Sequence, residues 1–217
     1  MMLVRDVMTA NVVTITEDAT VYDAREVMRS HKIERLPVVE EGKLVGLLTK
    51  NEVLKALPSP GMARSIWEFT MILHKMKVKD IMKTQVITGD PDMTVESAVA
   101  LAQHRKIGCL PVMENNKLIG IVTTNDFFYR ILNPLLGVGQ KGIRISVDCG
   151  DAKNMQKVLG CIGKHGIKIA SIHSLPSSEK GRTGLVIHLD TEDARQIITE
   201  LRSMGYSVKT RPHQLTY

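Results

Sequence analysis

KIERLPVVEEGKLVGLLTKNE, residues 32–52, and KIGCLPVMENNKLIGIVTTND, residues 106–126, are nearly the same phrase written twice. Each opens on Lys-Ile, passes through a short apolar run at Leu-Pro-Val, turns at a polar stretch, and runs on to Thr-x-Asn-acid. In the first copy LPVV, 36–39, reads as a short buried strand, EEGK as a turn, and KLVGLL as a second strand, which together make a hairpin. Thr49, Lys50, Asn51 and Glu52 then lead into Val53, Leu54 and Leu57 at helical spacing.

The repetition reaches beyond the hairpin. A shift of 74 lays residues 4–54 on 78–128 without a gap, with 20 identities in 51 positions; average residue usage would give roughly three. VRDVM at 4–8 falls on VKDIM at 78–82. Val12, Val13 and Ile15 begin an extended piece. Thr20 or Asp18 caps a helix with Val21, Ala24, Val27 and Met28 on one face. The unit is β-α-β-β-α. Two copies are too few for a solenoid, so the pattern predicts a pseudo-two-fold pair in which each copy covers the other's apolar face.

Thr49 and Thr123 stand where a strand becomes a helix, with Glu52 and Asp126 three residues on. One reading is an ordinary capping box, Thr followed by an acid one turn later. The other is a nucleotide site. Free N–H groups at a helix start suit phosphate, and a carboxylate there can accept the two hydroxyls of a ribose.

With both copies in view, the chain resembles a tandem of CBS domains, regulatory modules of the cystathionine-β-synthase type. VRDVM and VKDIM, Leu-Pro-Val at 36 and 110, and the two Gly-apolar-apolar-Thr-x-x-acid endings carry the resemblance. It implies two clefts between the copies, binding adenosine compounds such as AMP, ADP, ATP, NAD or S-adenosylmethionine. Carried over, one cleft uses Thr123, Asn125 and Asp126 with Met8, Val13, Glu34 and Arg35, the first copy supplying the adenine floor and the two residues before Leu-Pro-Val. The other uses Thr49, Asn51 and Glu52 with Met82, Ile87, Gly108 and Cys109. The first is expected to be the better site. It has the family's Asp, and Arg35 is a forked cationic donor for phosphate. In the second, Glu52 is one methylene longer and is expected to overshoot the ribose, while Gly108 and Cys109 bring no charge.

These motifs divide the chain into 1–57, the first copy; 58–76, a linker; 77–135, the second copy; and a different unit at 141–212. The linker breaks at Pro58, Pro60 and Gly61. It continues as an amphipathic helix through Trp67, Ile72, Leu73 and Met76, which either packs on the pair or makes a dimer contact. Pro134 and glycines 137, 139 and 142 mark a second linker. Beyond it, IRISVDC, MQKVLGCIGKHG, IKIASIHSL, GLVIHLD, DARQIITELRSMG and YSVKT alternate as β-α-β-β-α-β, with the polar loop PSSEKGR between the middle strands. That order predicts a ferredoxin-like sandwich, making the whole chain α+β. This unit resembles an ACT domain, a small-molecule-sensing module, through MQKVLGCIGKHGIKI above all. At the family's ligand turn this chain has Lys153 and Lys168 where that family favours Gly and Asn. Dimerisation is therefore favoured over amino-acid binding. A CBS pair followed by an ACT-like unit is similar to the acetoin-utilisation regulatory protein family, which implies a cytoplasmic regulator; a homodimer is expected because a lone ferredoxin-like sheet leaves an edge for a partner to cover.

Composition agrees with a regulator. No apolar run exceeds strand length, so neither a signal peptide nor a membrane span is expected. Cys109, Cys149 and Cys161 form no Cys-x-x-Cys pair and suit a reducing compartment. The net charge of +6 sits mainly in the C-terminal unit, with 12 Lys and Arg against 7 Asp and Glu over 141–217. A solvated surface explains this more readily than an anionic partner. The alternatives are a nucleic-acid-binding regulator using that basic unit, and an enzyme acting on an adenosine compound. Against the former, Tyr206 and Tyr217 are the unit's only aromatics and no RNA-module signature occurs. Against the latter, the seven histidines (31, 74, 104, 165, 173, 188 and 213) form no His-Glu-x-x-His string, and no close Cys/His cluster or metal site is expected.

Overall fold

The hairpin of the repeated phrase is β1 (Arg35–Glu40) paired antiparallel with β2 (Lys43–Thr49), and its copy is β3 (Cys109–Glu114) with β4 (Lys117–Thr123). Both turns place two residues at positive φ: Glu41 at 48° and Gly42 at 79°, then Asn115 at 49° and Asn116 at 61°. Two such residues make the primed turn whose twist matches the flanking strands. The register puts Leu36 opposite Leu48 and Leu110 opposite Val122, all buried. Each hairpin slips register once, between Val38 and Val39 and between Val112 and Met113, the same place 74 residues apart.

The computed structural model describes residues 2–57, 66–176 and 183–212. It divides into two units, Met1–Phe128 and Tyr129–Tyr217. In the first, α2 (Val21–Ser30) and α3 (Lys50–Ala56) flank the first hairpin, followed by α4 (Ile66–Lys75), and α5 (Val95–Arg105) and α6 (Thr124–Phe127) flank the second. The short turns that lead the two copies cross over: α1 (Val4–Val7) bonds the Pro91 and Met93 carbonyls of the second copy, and the 3₁₀ turn at Val78–Asp80 bonds the Glu17 and Ala19 carbonyls of the first. Thr20, of the two candidates, caps α2: its hydroxyl accepts the Asp23 N–H at 3.0 Å. Thr94, its counterpart, caps α5 in the same way.

The expected pseudo-two-fold is written in the backbone. Thr9 and Ile121 exchange N–H···O bonds of 2.9 and 3.0 Å, and Lys83 and Leu47 exchange bonds of 3.0 and 2.9 Å. Adding 74 to 9 and 47 gives 83 and 121, so one junction is the image of the other. At each junction a glycine makes room for a methionine of the other copy. A Cβ at Gly120 would collide with Met8 Sδ, and one at Gly46 with Met82 Sδ. Leu73 of α4 is fully buried, and Met76, just past the helix, packs against the first copy's core. His74 stacks on Tyr22 of α2 at 4.0 Å. Core packing therefore accounts for this part of the linker helix. The side chain of Trp67, the break at Pro58, Pro60 and Gly61, and most of the PSSEKGR loop lie outside the described residues.

The second unit begins at Tyr129, within the stretch assigned to the second copy, and the expected linker that follows is structured. α7 (Asn133–Leu136) carries Pro134 in its first turn and stops at Gly137 in the left-handed region, φ 65°. A Cβ at Gly137 would strike the His188 ring, and His188, 1% exposed, bonds the Lys141 carbonyl at 3.1 Å. β5 (Ile143–Asp148), α8 (Ala152–Lys164), β6 (Ile169–Pro176), β7 (Thr183–Leu189), α9 (Arg195–Ser203) and β8 (Val208–Pro212) follow. The sheet order is β6-β7-β5-β8 with every pair antiparallel. This is the ferredoxin-like arrangement. Its core joins Ile145, Val147, Leu185 and Ile187 of the sheet to Val158 and Ile162 of α8 and Ile197 and Leu201 of α9.

One expectation about this unit is corrected. Cys161 in the last turn of α8 and His165 at its C-cap lie one turn apart, and with Glu200 of α9 they form a compact Cys/His/Glu group. The spacing Cys-x-x-x-His on a helix was the available sign, because residues four apart share a face. Glu200 could not be added from sequence, since only the packing of α9 on α8 brings it near.

Candidate functional site

A cleft of about 470 Å³ opens between the two copies in the first unit. One wall comes from the second copy: Ile121 of β4 and then Thr123, Asn125 and Asp126 at the start of α6. The other comes from the first copy: Thr9, Asn11, Val12 and Val13, then Lys32, Ile33, Glu34 and Arg35 before and at the start of β1, and Pro37. Val13, Ile33, Pro37 and Ile121 give an apolar lining, and Lys32 and Arg35 bring two cations. Lys32 takes the left-handed region, φ 53°, just after α2. It was not singled out in the sequence, where it is one of several exposed lysines.

Asp126 serves the cap and faces the cleft together. Its Oδ2 accepts the Thr123 N–H at 2.8 Å and the Thr123 hydroxyl at 2.7 Å. Its Oδ1 lies 3.5 Å from the Thr9 hydroxyl across the junction. Capping is thus real geometry here, and it orients the carboxylate toward the cavity wall. Glu34 meets Lys50 Nζ at 2.9 Å, and this contact holds its carboxyl below the usual range. Met8, also assigned to this cleft, packs on Gly120 at the junction, and Val12, Val13 and Pro37 line the cleft.

The equivalent place in the other half is built differently. Position 83 is the image of Thr9, and it is a lysine. Lys83 Nζ reaches across the junction to Glu52 Oε1 at 3.3 Å, and the Thr49 hydroxyl also bonds Glu52. Burial pushes the Glu52 pKa up, but the hydrogen bonds from Thr49 and Lys83 outweigh it and leave the group below its ordinary value. The extra methylene of Glu52 thus ends in an ion pair with a residue of the opposite copy. Met82 sits on Gly46 as Met8 sits on Gly120, and Ile87, the image of Val13, is half-buried.

Arg35 belongs to both halves. Besides lining the larger cleft, it borders a second hollow of about 280 Å³ with Thr49, Asn51, Glu34 and Lys50. Its guanidinium lies over Gly108, where any Cβ would collide with it. Cys109 is buried beside it. Burial pushes the Cys109 thiol up to about 11, against the opposing pull of Arg35 and Lys83. The absence of charge at Gly108 and Cys109 is thus made good by a side chain from the other copy, since Gly108 gives Arg35 its room.

Residues 4–59 and 78–133, more than half of the chain, match the family model described as the CBS domain. The chain belongs to the CBS domain family. Among its relatives, the CBS domain-containing protein YhcV of Bacillus subtilis is 32% identical over 123 residues, which are 57% of this chain and 81% of YhcV. An inosine-5'-monophosphate dehydrogenase of Korarchaeum cryptofilum is 35% identical over 133 residues, but the match spans 61% of this chain and only 25% of that enzyme. Among solved structures, one from Vibrio cholerae described as an acetoin utilization protein (AcuB) has a TM-score of 0.53 and 28% identity. It covers 64% of this chain and 96% of its own. The cleft described above is therefore the inter-copy cleft of a CBS pair.

In the second unit, the two lysines at the expected ACT ligand turn stand apart in character. Lys153 is exposed in the first turn of α8, which Asp151 caps through the Asn154 N–H at 2.8 Å. Lys168 precedes β6 and pairs with Asp190 at 3.7 Å. His173 and His188 lie on the paired strands β6 and β7. Each bonds a backbone carbonyl, of Leu135 and Lys141 respectively, which is a structural use. No helix among the described residues is long and apolar enough to cross a membrane.

Proposed function

We propose that this chain is a non-catalytic regulatory protein whose CBS pair senses an adenosine nucleotide or derivative. The observation that carries this reading is the 470 Å³ cleft, in which an acid held by its own cap faces an apolar wall and two cations from the other copy. A cleft of that size suits a compact ligand. The base would lie against Val13, Ile33 and Pro37. The ribose hydroxyls would be met by Asp126 and Thr9, and a phosphate or other anionic tail by Arg35 and Lys32. The resemblance to CBS modules supports AMP, ADP, ATP, NAD and S-adenosylmethionine as candidates. The second half, whose acid is already paired with Lys83, would bind more weakly.

The C-terminal unit, with its ferredoxin-like sheet and resemblance to ACT domains, would serve as a dimerisation and relay device in a cytoplasmic homodimer. β6 supports this, as an edge strand of the sheet that a second copy could extend. The structural similarity to an acetoin utilization protein supports a place in the control of small-carbon-compound use. Calorimetry with the candidate nucleotides tests the site. Asp126→Ala is expected to weaken the best ligand by about 2–4 kcal/mol, the loss of two charge-assisted hydrogen bonds, and Glu52→Ala clearly less. A greater loss with Glu52→Ala would reverse the order of the two halves. Steady turnover of the ligand would replace the sensor with an enzyme.

A further inference from the structure

We propose that Cys161, His165 and Glu200 form a binding site for a zinc-like divalent cation in the C-terminal unit. Cys161 Sγ, a ring nitrogen of His165 and a Glu200 carboxylate oxygen all lie within 4.8 Å of one another, and His165 Nε2 is 2.7 Å from Glu200 Oε2. The three donors come from two helices. Cys161 lies in the last turn of α8, His165 caps that helix four residues on, and Glu200 rises from α9.

Thiolate, imidazole and carboxylate are the donor set of a borderline-soft cation of the zinc type. Hard cations such as calcium and magnesium call for six or more oxygen donors, which this group does not offer. In a tetrahedral zinc site with bonds of roughly 2.0–2.3 Å, the donor atoms stand about 3.3–3.7 Å apart. The His165–Glu200 pair would open by about 0.6–1 Å, and a donor pair at the 4.8 Å limit would close by about 1.1–1.5 Å. Such shifts lie within side-chain rotation. Cys161 is buried at 2% exposure, while the side chains of His165 and Glu200 are 22% and 35% exposed. The sulfur thus sits at the inner end and the other two donors at the mouth, so the group is reachable from solvent and closed behind. Binding would convert the Cys161 thiol to a thiolate, with its proton released to water, and would break the His165–Glu200 hydrogen bond. Three protein donors leave a fourth position for water or for a ligand. A cation there would tie α8 to α9 at the end of the sheet where α8 stops.

Cobalt(II) tests this with the full chain, freed of metal. It is expected to bind one per chain, with tetrahedral ligand-field bands and a thiolate-to-cobalt charge-transfer band, and zinc should displace it. Cys161→Ser should abolish the charge-transfer band, whereas Cys109→Ser and Cys149→Ser should leave it. His165→Gln and Glu200→Gln, at partly exposed positions, should each weaken cobalt at least tenfold, with circular dichroism confirming that the variants are folded. A charge-transfer band that survives Cys161→Ser, cobalt affinity within twofold of wild type in His165→Gln, or no saturable binding at all would overturn the site and leave a His–Glu tie between two helices. Because the readout is spectroscopic and lies in the C-terminal unit, it does not depend on the nucleotide reading.

Discussion

Replacing Lys83 by Thr, the residue at its image position 9, should remove the one feature that most separates the two halves of the CBS pair. Lys83 Nζ stands 3.3 Å from Glu52 Oε1. Two unit charges at that distance attract by about 1.3 kcal/mol in bulk water and about 5 kcal/mol at an effective dielectric of 20. The Lys83 side chain is 60% exposed and that of Glu52 only 10%, so screening on the lysine side pulls the value toward the lower bound. Ordering a long side chain offsets part of what is left. A coupling energy of about 0.5–1.5 kcal/mol is expected. Urea unfolding of the wild type, Lys83→Thr, Glu52→Gln and the double variant gives it directly as a double-mutant cycle.

The sign of the pH dependence follows from Glu52. Its folded pKa lies below the ordinary carboxylate value. Its contribution is therefore fully present above the unfolded pKa and is lost as pH falls through the folded one. The coupling should be full at neutral pH and shrink on acidification below about pH 4. A coupling below about 0.3 kcal/mol at neutral pH, or one that persists unchanged in acid, would refute the ion pair as the device that closes this half. Released from Lys83, Glu52 would also be open to a ribose, so adenosine titrated into Lys83→Thr should show added binding in the second half.

Arg35→Met keeps much of the stem and removes the charge, so it should weaken ATP more than adenosine and flatten the salt dependence of ATP binding, both measured by calorimetry. Gly160→Ala should stabilise the chain by about 0.5–1 kcal/mol in thermal or urea unfolding, because Gly160 lies inside α8 with open space where a Cβ would stand. Light scattering should give a mass near twice the 24.1 kDa chain. Hydrogen exchange in 141–212 should change when nucleotide is added and stay unchanged in Asp126→Ala; an unresponsive C-terminal unit would make it a dimerisation device alone.

The repeated phrase made most of the first unit legible because a hairpin is a local object. Leu-Pro-Val, a two-residue turn and a period-two apolar run are contiguous in the chain, and their copy 74 residues on doubles the signal. The β-α-β-β-α-β order of the second unit was readable for the same reason, since each element announces itself by its own period. Met8 was harder. The sequence places it in a cleft with Val13, Glu34 and Arg35 but against no particular neighbour; in the fold its sulfur lies on Gly120, at the junction where Thr9 and Ile121 exchange backbone bonds.

What sequence could not give is the direction of long side chains across the pseudo-two-fold. Laying residue 9 on 83 and 35 on 109 shows at once that the copies differ, Thr against Lys and Arg against Cys. It does not show that Lys83 crosses to Glu52 or that Arg35 spreads over Gly108. A side chain of four or five bonds can reach either copy, and the choice is made by where its partner has left space and opposite charge. Gly108 leaves the space for Arg35, and Glu52, with its one additional methylene, brings the charge within reach of Lys83. The four departures from symmetry therefore fall into two pairs. Arg35 lies in the room that Gly108 leaves, and Lys83 meets the acid whose extra methylene reaches it. A chain that drifted from a symmetric pair could acquire one cationic cleft and one self-neutralised cleft through these substitutions alone, while both hairpins, both turns and both methionine–glycine junctions stayed as they were.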